Sequence, residues 1–250
     1  MTTDDATRSA HRQSATVGGH AALATAAGIV LSGPLALLLV NATHPQPPWE
    51  NAATFAEHYH PIQVVPYLGG ILLVTALVML LATIHVLALD QHKLRTTAAL
   101  VFTAAFATLI FFNYVVQTTF LPELARTYQD HYAGTLSALS MSNPKSLAWG
   151  IEMWGWGLFG LATWLVAPVF QGNRTARLTA QLFVANGIVS IVGTLWTVLQ
   201  PGWCMTPIGL MAFASWNLLL LVMVFQAWRA FRSTACQLMA GIRPDSRSIP

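Results

Sequence analysis

The sequence predicts an all-α membrane domain, a polytopic bundle of six spanning helices. Three observations predict it. Six apolar stretches have the length that crosses hydrocarbon; 55% of the 250 residues are hydrophobic against 8% charged; and ten of the twelve Lys and Arg residues fall on one side if every stretch spans. About 20 apolar residues match a hydrocarbon core roughly 30 Å thick, whereas soluble domains carry roughly a quarter charged residues. The mean hydropathy is +0.56. A chain of this length holds six spans and short connections, and the expected division is an N-terminal segment 1–17, a membrane domain 18–230 and a C-terminal segment 231–250.

The first stretch, 18–40, follows Arg8 and Arg12 and superficially resembles a secretion signal. It is longer than the 7–15 residue apolar core of such a signal, so an uncleaved first span is expected. Pro34 lies inside it and Pro66 lies near the start of the second stretch, 63–89, and each predicts a kink because proline removes a backbone donor. The segment between them, NATHPQPPWENAATFAEHYHP, is Pro-rich and then helix-like. The third stretch, 96–121, follows the connection DQHKLR, and the fifth, 178–200, follows QGNRTAR; both connections are short enough for tight helical hairpins. Between the third stretch and the fourth, 147–170, Leu124, Tyr128, Tyr132, Leu136 and Leu139 recur at three- and four-residue spacing, which predicts an amphipathic helix on the outer interface or packed over the bundle's outer mouth. The sixth stretch is 208–230.

Arg8, Arg12, Lys93, Arg95, Arg174, Arg177, Arg229, Arg232, Arg243 and Arg247 share one side of this hexad; Arg126 and Lys145 take the other. Positive-inside sorting therefore predicts that both termini are cytoplasmic. Dispersed over short loops, these cations suit topology and anionic lipid, not nucleic acid, despite a net charge of +3. The two cysteines, Cys204 and Cys236, are placed on opposite sides of the bilayer and cannot pair within one chain.

Glu152 is the single carboxyl placed inside a span, and an intramembrane carboxyl is by default a functional-site hypothesis. Ala148, Gly155 and Ala162 recur every seven residues on its face, so small residues let neighbouring helices approach and the carboxyl is expected to point into the bundle. Trp149, Trp154 and Trp156 surround it as an interfacial belt would. Asn113 and Gln117 share a face of the third stretch, and Asn186, Ser190, Gly193, Thr197 and Gln200 form a stripe on the fifth. A polar stripe in hydrocarbon must face protein or water, so stretches three, four and five are expected to meet around Glu152, with Asn113, Gln117, Asn186, Gln200 and Trp156 as candidate ligand or ion contacts. Apart from Arg229, at the opposite, cytoplasmic end of the sixth stretch, no Lys or Arg lies within a stretch to pair with Glu152, which leaves a protonated acid, a hydrated vestibule or a bound cation. The competing reading is a carboxyl that fixes helix packing through hydrogen bonds.

His58, His60 and His131 share the external side, and the spacing of the first two makes them candidate metal ligands. No cofactor is expected; the alternative is haem held axially by His20 and His85, near the cytoplasmic ends of neighbouring spans. H-E-x-x-H, G-x-S-x-G and phosphate-cradling Gly loops are missing, and there is no second intramembrane carboxyl. An enzyme therefore ranks third, behind a small transporter or ligand-binding membrane protein that takes a small polar molecule or cation, and behind a structural or regulatory subunit. A water-filled cavity reaching Glu152 favours the first class; a dry, closely packed carboxyl favours the second.

The runs FFNYVVQTTFLPELA and SMSNPKSLAWGIEMWGWGLFGLATWLVAP resemble small six-span bacterial membrane proteins of a domain of unknown function. The resemblance covers spans three to five best and implies a bacterial plasma-membrane location. It assigns no role to any residue.

Overall fold

A computed structural model of the chain describes residues 3–239, with the side chains of 3–5 and 235–239 left aside. Among the described residues every regular element is helical: α1 (Thr3–Ser32), α2 (Pro34–Thr43), α3 (Ala52–Glu57), α4 (Val65–Leu87), α5 (Lys93–Val115), α6 (Leu121–Arg126), α7 (Ala133–Leu139), α8 (Leu147–Val166), α9 (Arg174–Leu199) and α10 (Pro207–Met239). Five segments are long and apolar enough to cross a membrane, namely Ala6–Thr43, Pro61–Leu87, Asp90–Arg126, Arg174–Leu199 and Pro207–Thr234. The protein is thus a membrane protein by its helices. α8 is not among the five, because Trp149, Trp154, Trp156 and Trp164, four glycines and Glu152 dilute its apolarity.

The terminal segments are less separate than expected. α1 begins at Thr3 and α10 continues to Met239, so the charged ends prolong spanning helices. Arg243 and Arg247 lie outside the described residues, as does the side chain of Cys236.

The long helices pack in a closed cycle. α1 lies on α4, α4 on α5, α5 on α8, α8 on α9, α9 on α10, and α10 returns to α1. Inside run Leu77, Leu80, Ile84, Phe106, Ile110, Phe159, Phe183, Leu220 and Phe231, all at most 1% exposed. Lipid-facing positions such as Leu38, Val101, Val198 and Ile208 are open, the inverse of a soluble fold. Glycines set the closest approaches: a Cβ on Gly160 would meet Ser190 Cβ at 2.7 Å and the Gly187 carbonyl at 3.0 Å, so α8 and α9 touch backbone to backbone.

Pro34 interrupts the first segment as expected: Gly33 separates α1 from α2. Pro66 does not kink its helix. It occupies the first turn of α4, where the missing N–H is one of those a helix leaves unpaired anyway. The connections α4–α5 and α8–α9 are tight, each carrying a 3-10 turn, and Asn173 caps α9 through its side chain, accepting from Ala176 N at 2.9 Å.

The apolar stripe from Leu124 to Leu139 is not one helix. α6 stops at Arg126 and α7 starts at Ala133, with a 3-10 turn at Asp130–Tyr132 between them. Leu121, Leu124, Ala125 and Leu136 instead join Ala52 and Phe55 of α3 in a second apolar cluster, against which Trp49, Tyr59, Tyr128 and Tyr132 pack. The stripe covers the bundle end as a folded lid. Burial pushes the Tyr59 phenol up, with the Arg126 guanidinium pulling it partly back.

Candidate functional site

Glu152 faces inward, as its small-residue stripe requires: Ala148 and Ala162 are buried beside it, and Glu152 itself is 6% exposed. Its carboxyl accepts three hydrogen bonds. Tyr114 Oη donates to Oε1 at 2.9 Å, Trp156 Nε1 donates to the same oxygen at 2.8 Å, and Asn113 Nδ2 donates to Oε2 at 2.9 Å. Trp156 reaches it from one turn along the same helix; Asn113 and Tyr114 reach it from α5, so the network bridges the α5–α8 contact.

Asn113 is held from both ends. Its Nδ2 also lies 3.2 Å from the Ala148 carbonyl and 3.3 Å from Met141 Sδ, and its Oδ1 accepts from Gln117 Nε2 at 3.3 Å. Those contacts fix which end of the amide faces Glu152. Gln117, 5% exposed, does not touch the carboxyl; it donates to the Leu139 carbonyl at 2.8 Å and accepts from Met141 N at 3.2 Å. Trp149 Nε1 donates to the Met141 carbonyl at 2.6 Å. Gln117 and Trp149 therefore stitch the segment after α7 across one end of the Glu152 site, and Ser140 and Met141 are buried there. This end of the site is packed protein where a vestibule would need an opening.

Just beyond Asn113, α5 passes into a π-helical turn at Val116–Phe120. Such turns recur at functional sites because they re-aim side chains by inserting a residue into the ladder. The Tyr114 ring lies 5.6 Å from that of Tyr67, and it occupies the space a Cβ would need at Gly70, so α4 closes the site's inner side.

Asn186 and Gln200 fall elsewhere. Asn186 is fully buried in a second polar group, donating to Thr163 Oγ1 at 3.1 Å and accepting from Trp216 Nε1 at 3.1 Å; that indole also lies 3.2 Å from Ser190 Oγ. The two groups meet through aromatic contact, Trp216 standing edge-on to Trp156 at 4.8 Å. Gln200 follows the last turn of α9 and is exposed; its N–H donates to the Trp196 carbonyl and its own carbonyl accepts from the Trp203 N–H. The expectation that α9 shares the Glu152 site gives way to α4, because the polar stripe of α9 turns toward α8 and α10. Tyr114, Tyr67, Trp216 and Met141 escaped sequence reading. The available signal was Tyr114, since a buried tyrosine hydroxyl needs a partner.

The histidines do not converge. His58 Nδ1 lies 3.0 Å from the Thr54 carbonyl, His60 Nδ1 accepts from Ile62 N at 3.2 Å while its ring stacks on His44 at 3.5 Å, and His131 packs on Tyr132. Among the described residues no three His, Cys, Asp or Glu side chains group to hold a metal. His85 Nδ1 lies 2.8 Å from Thr96 Oγ1, and His20 lines a groove between α1 and α10, so each has surroundings of its own. Compared with family models, with curated proteins and with solved structures, the chain matches none.

Proposed function

We propose that the chain is a structural or regulatory subunit of a bacterial cytoplasmic membrane, with six spans, both termini cytoplasmic and Glu152 as an interhelical clamp. The observation that carries this reading is the packing of the carboxyl: three protein donors on two helices fill it, and the Gln117–Met141 segment closes over it. Neutral donors can hold a carboxylate or share its proton, so no bound cation is required for the network to close. α8 serves as the sixth span in this reading. Its indoles and glycines lower its apolarity, but its neighbours α5 and α9 cover most of its surface, so it needs less lipid contact than the others.

Stability of the purified protein tests the clamp. Glu152→Leu leaves the Tyr114 hydroxyl and the Trp156 indole without an acceptor, while Asn113 keeps the Ala148 carbonyl, a loss of about 1–3 kcal/mol for each unpaired group, less than additive. Glu152→Gln keeps the acceptor for Tyr114 and Trp156 but turns an amide N–H₂ against Asn113, so its loss is smaller. If both variants match the parent in thermal stability, the clamp is wrong. A second reading, a small transporter with Glu152 as proton or cation acceptor, draws on the π-helical turn beside the site. It requires a thermal shift with a monovalent cation or small polar solute that Glu152→Gln abolishes; the clamp requires none. The orientation is tested by single cysteines at Lys145 and Arg174, where only the former should react with an impermeant maleimide added outside intact cells.

A further inference from the structure

A groove of about 300 Å³ opens between α1 and α10, walled by Gly19, His20 and Leu23 on one side and Trp228, Phe231 and Arg232 on the other. Its depth follows from the sequence. α1 changes from the polar run TDDATRSAHRQS to apolar residues at Val17, and α10 changes from apolar residues to Arg229 and Arg232, so the groove straddles the boundary on both helices. That boundary is the headgroup level of a bilayer.

The walls differ along the groove. At the polar end Arg232 and His20 are exposed, and the guanidinium is held 5.0 Å above the Trp228 ring by a cation–π contact. Among the described residues the one ion pair is Arg126–Glu123, so Arg232 has no carboxylate against it there. Toward the membrane interior lies Leu23, while the buried Phe231 stands beside Arg232 at the level of Gly18. A Cβ on Gly19 would meet only Trp228 Cδ1, at 3.8 Å, so the glycine leaves room between the helices. Charge at one end and a greasy slot at the other match a phosphate-bearing amphiphile better than a soluble anion, which would leave the slot empty.

We propose that this groove binds one anionic phospholipid, its phosphate at Arg232 and His20 and the head of an acyl chain along Trp228 and Leu23. The proposal rests on the membrane location of α1 and α10 and is independent of the Glu152 clamp. The test is native mass spectrometry of the full chain in neutral detergent, titrated with phosphatidylglycerol, phosphatidylcholine or inorganic phosphate. One phosphatidylglycerol should be retained with a preference of about fivefold or more over phosphatidylcholine, the scale of one basic residue at a membrane surface. Arg232→Gln should bring the two lipids level, while Arg95→Gln, outside the groove, should leave the preference intact. Gly19→Leu, which fills the slot without touching the charge, should lower retention of the lipid with the protein still eluting as the parent does. Equal binding of the two lipids, an unchanged preference in Arg232→Gln or full retention in Gly19→Leu overturns the proposal. Saturation by inorganic phosphate alone, with no added benefit from the acyl chains, overturns the lipid and leaves a free anion as the occupant.

Discussion

At the scale of single residues, the two oxygens of Glu152 are unequally served. Oε1 accepts from both Tyr114 and Trp156, while Oε2 accepts from Asn113 alone. Tyr114→Phe therefore leaves each oxygen with a donor and should cost about 0.5–1.5 kcal/mol. Asn113→Ala strips Oε2, releases Gln117 Nε2 and opens space beside Ala148, so it should cost about twice as much or more. Thermal unfolding of the singles and of the Asn113→Ala, Glu152→Leu double variant checks this, and the double should lose less than the sum because both changes cut one network. Cys204 gives a second residue-level prediction. Burial pushes its thiol up, with the backbone amides of Cys204 and Met205 pulling partly back. A raised thiol pKa favours the fold below the ordinary thiol range and loses that contribution as pH climbs through it. In a Cys236→Ser background, maleimide labelling of folded protein should be slow at neutral pH, rise about tenfold per pH unit toward alkaline pH, and become fast on unfolding at any of them. Fast labelling of the folded state at neutral pH would contradict the buried site.

Between elements, the α8–α9 contact is set by glycines and not by large apolar side chains. A Cβ on Gly187 would lie 2.8 Å from the Gly160 carbonyl, so the crossing is closed from both sides. Gly160→Val should push the pair apart and cost about 1–3 kcal/mol in the thermal unfolding of purified protein, whereas Gly150→Ala, where a Cβ meets nothing within 4 Å, should be neutral or slightly stabilising. Here the sequence is a fair guide: Ala148, Gly155 and Ala162 at seven-residue spacing identify the buried face of α8 and with it the inward aim of Glu152. It guides less well where contact depends on a third helix. Gln200 falls past the end of α9, where nearby Gly202 lies against Pro144 and Lys145 ahead of α8, while the α9 residue level with Glu152 is Thr194, which donates to the Met153 carbonyl; the loop past a helix end does not follow the helical rise that sequence spacing assumes. Tyr114 lies next to Asn113 and so falls off its i,i+4 stripe; both reach the carboxyl because Glu152 sits between their two directions. The Leu124–Leu139 stripe breaks into α6 and α7 for a similar reason, since burying Leu124 and Leu136 against Phe55 of α3 covers more apolar surface than a single interfacial helix would.

The whole molecule is a cycle of six long helices that closes where α10 meets α1, and that closure is the least legible part of the fold because it joins residues more than two hundred positions apart. Apolar runs give the number and length of helices; they do not say that the last returns to the first. Gly18 and Gly19 sit at the closure with opposite surroundings. A Cβ on Gly18 would lie 2.7 Å from Thr83 Cγ2 and 3.0 Å from the Phe231 ring, so α1, α4 and α10 all press on that point. A Cβ on Gly19 meets the edge of Trp228 at an ordinary 3.8 Å. Gly18→Ala should therefore press α1 against both neighbours and lower the unfolding temperature of the whole protein, while Gly19→Ala should hold it or raise it slightly by improving helix propensity in α1. The pair differ by one position and carry the same substitution, so the contrast isolates the three-helix junction. Equal unfolding temperatures for the two variants would mean that α10 does not close on α1 and α4 at Gly18, and the cycle would have to open at that seam.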